Sequence, residues 1–133
     1  MRCIFCEFEN FKDNIIYEGN HSYLLMDKFP ASLGHMLIIP KKHYQSIDEI
    51  PDNVLLEIMK LKVMAIDVLE KKLNVSAYNI VLANGKSARQ SIMHAHYHMI
   101  PRSIDDKIVI SLNEHDSQEN YETMFNTFRK MID

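Results

Sequence analysis

The sequence predicts a small α+β protein. Three observations predict it: short strand-like runs separated by turn signals, one long stretch with helical spacing, and a run of histidines alternating with apolar residues. Asn14 to Glu18 and Ser22 to Asp27 are short and rich in Ile, Tyr and Leu, and Gly19-Asn20-His21 between them is a turn signal, so the pair reads as a β-hairpin. His35 to Pro40 reads as a third strand after a loop that carries Pro30, Ser32 and Gly34; Pro40 ends it because proline offers no N–H to the ladder. From Pro51 to about Leu73 the residues Val54, Leu55, Ile58, Leu61, Ala65, Val68 and Leu69 recur at helical spacing, and Pro51 suits the first helical position. Tyr78 to Ala83 is a fourth strand by its Ile80-Val81-Leu82 run, and the polar loop Asn84 to Ser91 leads into a fifth, His94 to Pro101. The tail from Ser117 to Ile132 has the spacing of a short amphipathic helix, through Tyr121, Met124, Phe125 and Phe128.

The 133 residues show no internal repeat, low-complexity tract or interdomain linker, and their number suits one core. Residues 1–133 are therefore read as a single domain, with a core of about 3–102 and a C-terminal extension of 103–133. Apolar residues make up 47% and charged residues 25%, an ordinary globular balance. Fifteen basic against eighteen acidic side chains leave a net charge of −3, and the basic ones are scattered, so no footprint for duplex nucleic acid is present. No run is long enough for a membrane span, and Met1-Arg2-Cys3-Ile4-Phe5-Cys6 lacks the apolar stretch of a signal peptide, which leads to the expectation of a cytoplasmic protein with no membrane partner.

In His94-Ala95-His96-Tyr97-His98-Met99-Ile100 three imidazoles recur with a period of two, and successive strand side chains point to opposite faces. The three histidines are expected on one face, with Ala95, Tyr97 and Met99 on the other, burying it. One such histidine is most simply a partly exposed strand residue; three of the chain's seven within five positions call for chemistry. Two kinds remain open from the residues alone. Histidines two apart on a strand can share a zinc ion, and a neutral imidazole can attack phosphorus while its neighbours bind the oxygens or protonate the leaving group.

The pattern His-x-His-x-His, followed by two apolar residues and Pro101-Arg102, resembles the signature of the histidine-triad (HIT) superfamily. The resemblance extends through Cys3-Ile4-Phe5-Cys6, Asp27, Gly34 to His43, Asn84-Gly85-Lys86 and Gln90, and so covers most of the chain from Cys3 to Arg102. It implies a HIT-like fold, in which an antiparallel sheet with one long helix dimerises into a continuous sheet. It also implies an enzyme that cleaves at the α-phosphate of a purine nucleoside phosphoramidate or dinucleoside polyphosphate through a nucleotidyl-histidine, releasing a nucleoside monophosphate.

Carried over position by position, the resemblance makes His96 the nucleophile, its other ring nitrogen holding a proton against a backbone carbonyl within the triad. An ordinary histidine pKa of about 6.5 leaves much of such an imidazole neutral without a strong base. His98 would bond the phosphate or bridging oxygen and assist its departure, and Gln90 and Ser91 would supply polar contacts to the phosphate and the incoming water. Asp27 corresponds to the acid that holds the ribose hydroxyls, and Ile4, Phe5 and Leu25 to the apolar pocket around the base. Asn84 either touches the phosphates or turns the chain. The chain departs from the family pattern at Arg89, where a glycine usually precedes the loop glutamine, and at Lys28, where an apolar residue usually follows the ribose-binding aspartate; both add positive charge.

Cys3-x-x-Cys6 has the spacing of half a tetrahedral zinc site, and lies too close for a secreted disulfide framework. A redox pair fits less well, because such a motif usually opens a helix after a strand and this one precedes the first strand. Family members with both cysteines recruit two histidines that correspond here to His43 and His94, so the resemblance implies a structural zinc ion on Cys3, Cys6, His43 and His94. Under it His94 ties the strand down and is not a free acid or base. The rival functions are a nucleotide-binding or regulatory HIT protein without catalysis, and a hydrolase that uses the triad itself as zinc ligands.

Overall fold

The computed structural model describes residues 3–110 and 118–132. Five strands form one antiparallel sheet: β1 (Ile15–Glu18), β2 (Ser22–Met26), β3 (Met36–Pro40), β4 (Tyr78–Val81) and β5 (Tyr97–Pro101), in the order β1-β2-β3-β5-β4. Two α-helices accompany them, α1 (Asp52–Leu73) and α2 (Gln118–Ile132). The expected α+β class is the observed one.

The central strand explains the layering. β3 reads Met-Leu-Ile-Ile-Pro without a polar alternate and is buried along its whole length, which requires cover on both faces. On one face Leu24, Met36, Ile38 and Met99 pack against Val54, Ile58, Leu61, Ala65 and Leu69 of α1. These five helix positions are the apolar stripe seen in the sequence, while Leu55 and Val68 flank it half-buried. Each fully buried aliphatic side chain of this kind contributes about 1.5–3 kcal/mol. On the other face Leu25, Leu37 and Ile39 meet Phe5 and Phe11 from the N-terminal segment. The histidines lie on this same face, with His94 and His96 against the Phe5 ring.

The helix ends follow local chemistry. Pro51 sits one position before α1, in extended conformation at the N-cap, so the helix begins at Asp52 rather than at the proline. It stops at Asn74, which takes the left-handed conformation at φ 55° that asparagine tolerates, while Lys71 and Lys72 complement the negative end of the helix dipole. Gly34 turns the chain into β3 at φ 91°, where a Cβ would also lie 2.8 Å from a Leu69 methyl.

Strand bounds differ from the expected ones by a residue or two, and one start moves further. The fifth strand begins at Tyr97, not His94: β5 pairs with β3 through Ile38↔Tyr97, and further on the ladder would need an N–H from Pro40, which has none. The Ala95 N–H instead donates to the Tyr44 carbonyl at 2.7 Å. Ser117, the expected first residue of the tail helix, lies outside the described residues, and α2 occupies Gln118–Ile132. Its Tyr121, Phe125 and Phe128 are exposed.

Candidate active site

Although only its end is in the ladder, the triad segment keeps its alternation. Ala95, Tyr97 and Met99 pack on the α1 side, and His94, His96 and His98 follow one another on the opposite side. The Phe5 ring meets the His94 and His96 rings edge-on at 5.8 and 5.2 Å, and the His98 ring lies 5.0 Å from that of His96. His96 and His98 open onto a pocket of about 570 Å³ whose wall also includes Asp27, Phe5, Leu25 and Ser91. A cavity of that size, apolar with a few convergent polar groups, suits a small molecule such as a nucleotide.

The tautomers follow from the partners. A carbonyl oxygen only accepts, so His96, 2.8 Å from the His94 carbonyl through Nδ1, carries its proton there, and Nε2 keeps the lone pair. Burial pushes the His96 imidazole below its ordinary value, and its bond to His94 and the charge of Asp27 offset this in part. Burial, with His96 and His35 beside it, pushes His98 down to about 4. Both rings are neutral at pH 7.

His94 faces the other way. Its Nε2–H donates to the Pro40 carbonyl at 2.8 Å, which leaves Nδ1 with a lone pair 3.4 Å from the Cys3 sulfur and 3.5 Å from the Cys6 sulfur. His43 Nδ1 lies 3.2 Å from the Cys6 sulfur, and all four ligand atoms fall within 4.8 Å of one another. Bonds of about 2.3 Å to sulfur and about 2.0 Å to nitrogen put tetrahedral zinc ligands about 3.5 Å apart, so these four side chains fit a metal ion. Desolvation and the neighbouring Cys3 push the Cys6 thiol up to about 11; a bound cation reverses that and deprotonates a coordinating thiol. The triad does not converge on a metal of its own, because His94 points to the cysteines and His98 to His35.

His35 is the residue that the sequence left without a role. It is buried, its Nδ1 accepts the Ala31 N–H at 3.0 Å, and its Nε2 lies 2.9 Å from His98 Nδ1 and 3.4 Å from an Asp27 carboxylate oxygen. Asp27, His35 and His98 are close enough to suggest a second metal site. The Ala31 N–H rules against it: with Nδ1 accepting, the ring proton sits on Nε2 and blocks the nitrogen a metal would need. The signal in the sequence was the strand period, since residues 35 and 37 share a face and Leu37 pairs with His98.

Gln90, expected at the substrate, is turned elsewhere, and Asn84 takes one of its two expected roles. Gln90 is buried with its amide fully used, Oε1 accepting the Gly85 N–H at 2.7 Å and Nε2 donating to the Gln45 and Ile92 carbonyls at 3.0 Å each. It closes the loop and does not line the pocket. Asn84 Oδ1 accepts the Ile47 N–H at 2.9 Å, the chain-turning alternative. Of the two added cations, Lys28 lines the pocket and donates to the Asn10 carbonyl at 2.8 Å. Arg89 is exposed at φ 67°, a left-handed conformation that costs a non-glycine residue about 1–2 kcal/mol and suits the glycine usual at this place.

The HIT domain family model matches residues 9–105, and the chain belongs to that family. An uncharacterised HIT-like protein of Methanocaldococcus jannaschii is 40% identical over 114 residues, covering 84% of this chain and 88% of the relative. An adenosine 5'-monophosphoramidase of Saccharomyces cerevisiae is 37% identical over 105 residues, covering 75% of this chain and 62% of the relative. Among solved structures, a HIT family protein from Bacillus anthracis superposes with a TM-score of 0.85 at 25% identity, over 99% of this chain and 98% of that one. Among the described residues no helix is long and apolar enough to cross a membrane.

Proposed function

We propose that the protein is a nucleotide hydrolase or transferase that cleaves at the α-phosphate of a purine nucleoside phosphoramidate or a dinucleoside polyphosphate. The observation that carries this reading is the His96 ring, which lines the pocket, is protonated at Nδ1 against the His94 carbonyl so that Nε2 keeps its lone pair, and is held neutral by burial. Membership of the HIT family and the similarity to a monophosphoramidase support it.

His96 Nε2 attacks the α-phosphorus. The P–N or P–O bond to the leaving group breaks while the Nε2–H of neutral His98 donates a hydrogen bond to the leaving atom, which departs with a proton from solvent. The product is a nucleoside monophosphate bonded to His96 through P–N. Water then attacks the phosphorus, gives a proton to solvent, breaks the bond to His96 and returns its lone pair, so the cycle consumes one water and leaves both histidines as they began. Asp27 takes the ribose hydroxyls, Phe5 and Leu25 flank the base, and Ser91 contacts the phosphate.

Cys3, Cys6, His43 and His94 hold a zinc ion whose role is structural, with the Pro40 carbonyl orienting the His94 ring from behind. A zinc ion held by these four residues would fix the backbone that presents the His94 carbonyl to His96. The protein acts as a homodimer whose sheet continues across the interface; β4 is an edge strand and its Ile80 is exposed, which supports pairing there. The test of the activity is turnover on adenosine and guanosine phosphoramidates and polyphosphates by wild type and His96→Ala. Release of the nucleoside monophosphate should disappear in the variant, and unchanged turnover would overturn the assignment.

A further inference from the structure

The Asp27–His35–His98 chain lies between the end of the pocket assigned to the ribose and the group assigned to the leaving atom. The His35 ring is held on one edge by the Ala31 N–H, so its single proton, on Nε2, is donated to His98 Nδ1 at 2.9 Å, with an Asp27 carboxylate oxygen 3.4 Å from the same nitrogen. The other Asp27 oxygen is occupied by the Phe29 N–H at 2.8 Å. A neutral imidazole that accepts at Nδ1 must carry its own proton at Nε2. The His35 N–H therefore selects the His98 tautomer that donates to a leaving group; the opposite tautomer would set N–H against N–H.

The carboxylate charge pulls on the same N–H. Ribose hydroxyls donating to Asp27 satisfy the carboxylate and weaken its draw on the His35 N–H, which is then left to His98. We propose that His35 is a positioning residue that couples recognition of the ribose at Asp27 to hydrogen-bond donation by His98 to the leaving atom, so that a nucleotide lacking its hydroxyls is rejected in kcat and not only in KM. This rests on the function proposed above. The coupling runs through tautomer and orientation, since the His35 Nε2–H is engaged by His98 and its Nδ1 by the Ala31 N–H.

The experiment compares wild type with His35→Ala and His35→Gln on adenosine phosphoramidate and on its 2',3'-dideoxy counterpart. In wild type, removing the hydroxyls should lower kcat about tenfold and raise KM. His35→Ala should lower kcat on the ribonucleotide by a similar factor, yet lose little further kcat on the dideoxy substrate, while KM still rises. His35→Gln, which can present an N–H at the same place, should recover part of kcat. A nucleotide ester of a nitrophenolate, which leaves without a proton, should be turned over by His35→Ala at close to the wild-type rate, a result that general damage to the fold would not produce. The coupling is overturned if hydroxyl removal changes only KM in wild type, if the two kcat losses multiply, or if the nitrophenolate ester is as impaired as the phosphoramidate. A His96→Ala control separates the layers: retained turnover there sinks the underlying function, whereas lost turnover with multiplicative His35 effects sinks the coupling alone.

Discussion

Replacing His94 by alanine separates what this residue does through its ring from what it does through its backbone. The ring is fully buried, donates to the buried Pro40 carbonyl at 2.8 Å, and packs edge-on against Phe5. Leaving that carbonyl unpaired costs about 1–3 kcal/mol, and deleting the ring from a packed interior about 2 kcal/mol more. The expected loss is about 3–5 kcal/mol, a large part of the roughly 5–15 kcal/mol of a typical domain. At this chain length that corresponds to a melting temperature about 10–20 °C lower. Guanidinium unfolding of both proteins in excess chelator measures this contribution alone. Repeating it with stoichiometric zinc should widen the gap, because only the wild type keeps four ligands and gains the binding free energy. The alanine variant retains the carbonyl that orients His96, so its folded fraction should keep far more turnover than His96→Ala does. A loss below about 1 kcal/mol in chelator would refute the burial argument, and a gap that zinc leaves unchanged would refute the metal site.

Gly34→Ala should cost about 2–4 kcal/mol, since it meets both a φ of 91° and a Leu69 methyl 2.8 Å from the new Cβ, and denaturant melts would show it. Chelator should lower stability in wild type, with loss of turnover tracking the unfolded fraction and not preceding it. The pH dependence has a definite sign. His35, His96 and His98 all titrate below their ordinary value when folded, so below about pH 6.5 the unfolded chain takes up protons that the folded chain refuses. Stability should be full above that pH and fall steadily toward pH 4, where His98 titrates. Protonation also removes the His96 lone pair, so kcat/KM, measured with a substrate that does not titrate in the window, should stay level from pH 8 to about 6.5 and decline only below. A midpoint at or above the ordinary histidine value would contradict the buried, neutral nucleophile.

Local patterns made most of the fold legible. The α1 stripe and the β-hairpin are periodic over enough residues to declare themselves, and the unbroken apolar run of β3 agrees with a strand covered on both faces. The start of β5 was not legible, because where a ladder stops depends on the partner strand, and Pro40 is the residue that stops it. In the site, the convergence of Cys3 and Cys6 with His43 and His94 was anticipated from the family pattern, as were Asp27 and Ser91 on the pocket wall. Gln90 reads as a substrate contact, and Asn84 as either a phosphate contact or a chain turn, because polar loop residues near a motif carry no mark of which way they turn; in the structure the Gln90 amide makes three hydrogen bonds to backbone groups. His35 escaped notice because its significance lies in register, 63 positions away from His98 in the chain and 2.9 Å away in space.

The central claim is that His96 Nε2 forms a bond to phosphorus. Rapid-quench mixing with an adenosine phosphoramidate at neutral pH, followed by alkaline handling and peptide mass spectrometry, tests it directly. The peptide bearing His96 should carry one covalent nucleoside monophosphate that appears before free product and decays as product forms, and His96→Ala should show neither. Product release at the normal rate with no adduct on His96, or an adduct that persists in the alanine variant, would contradict it.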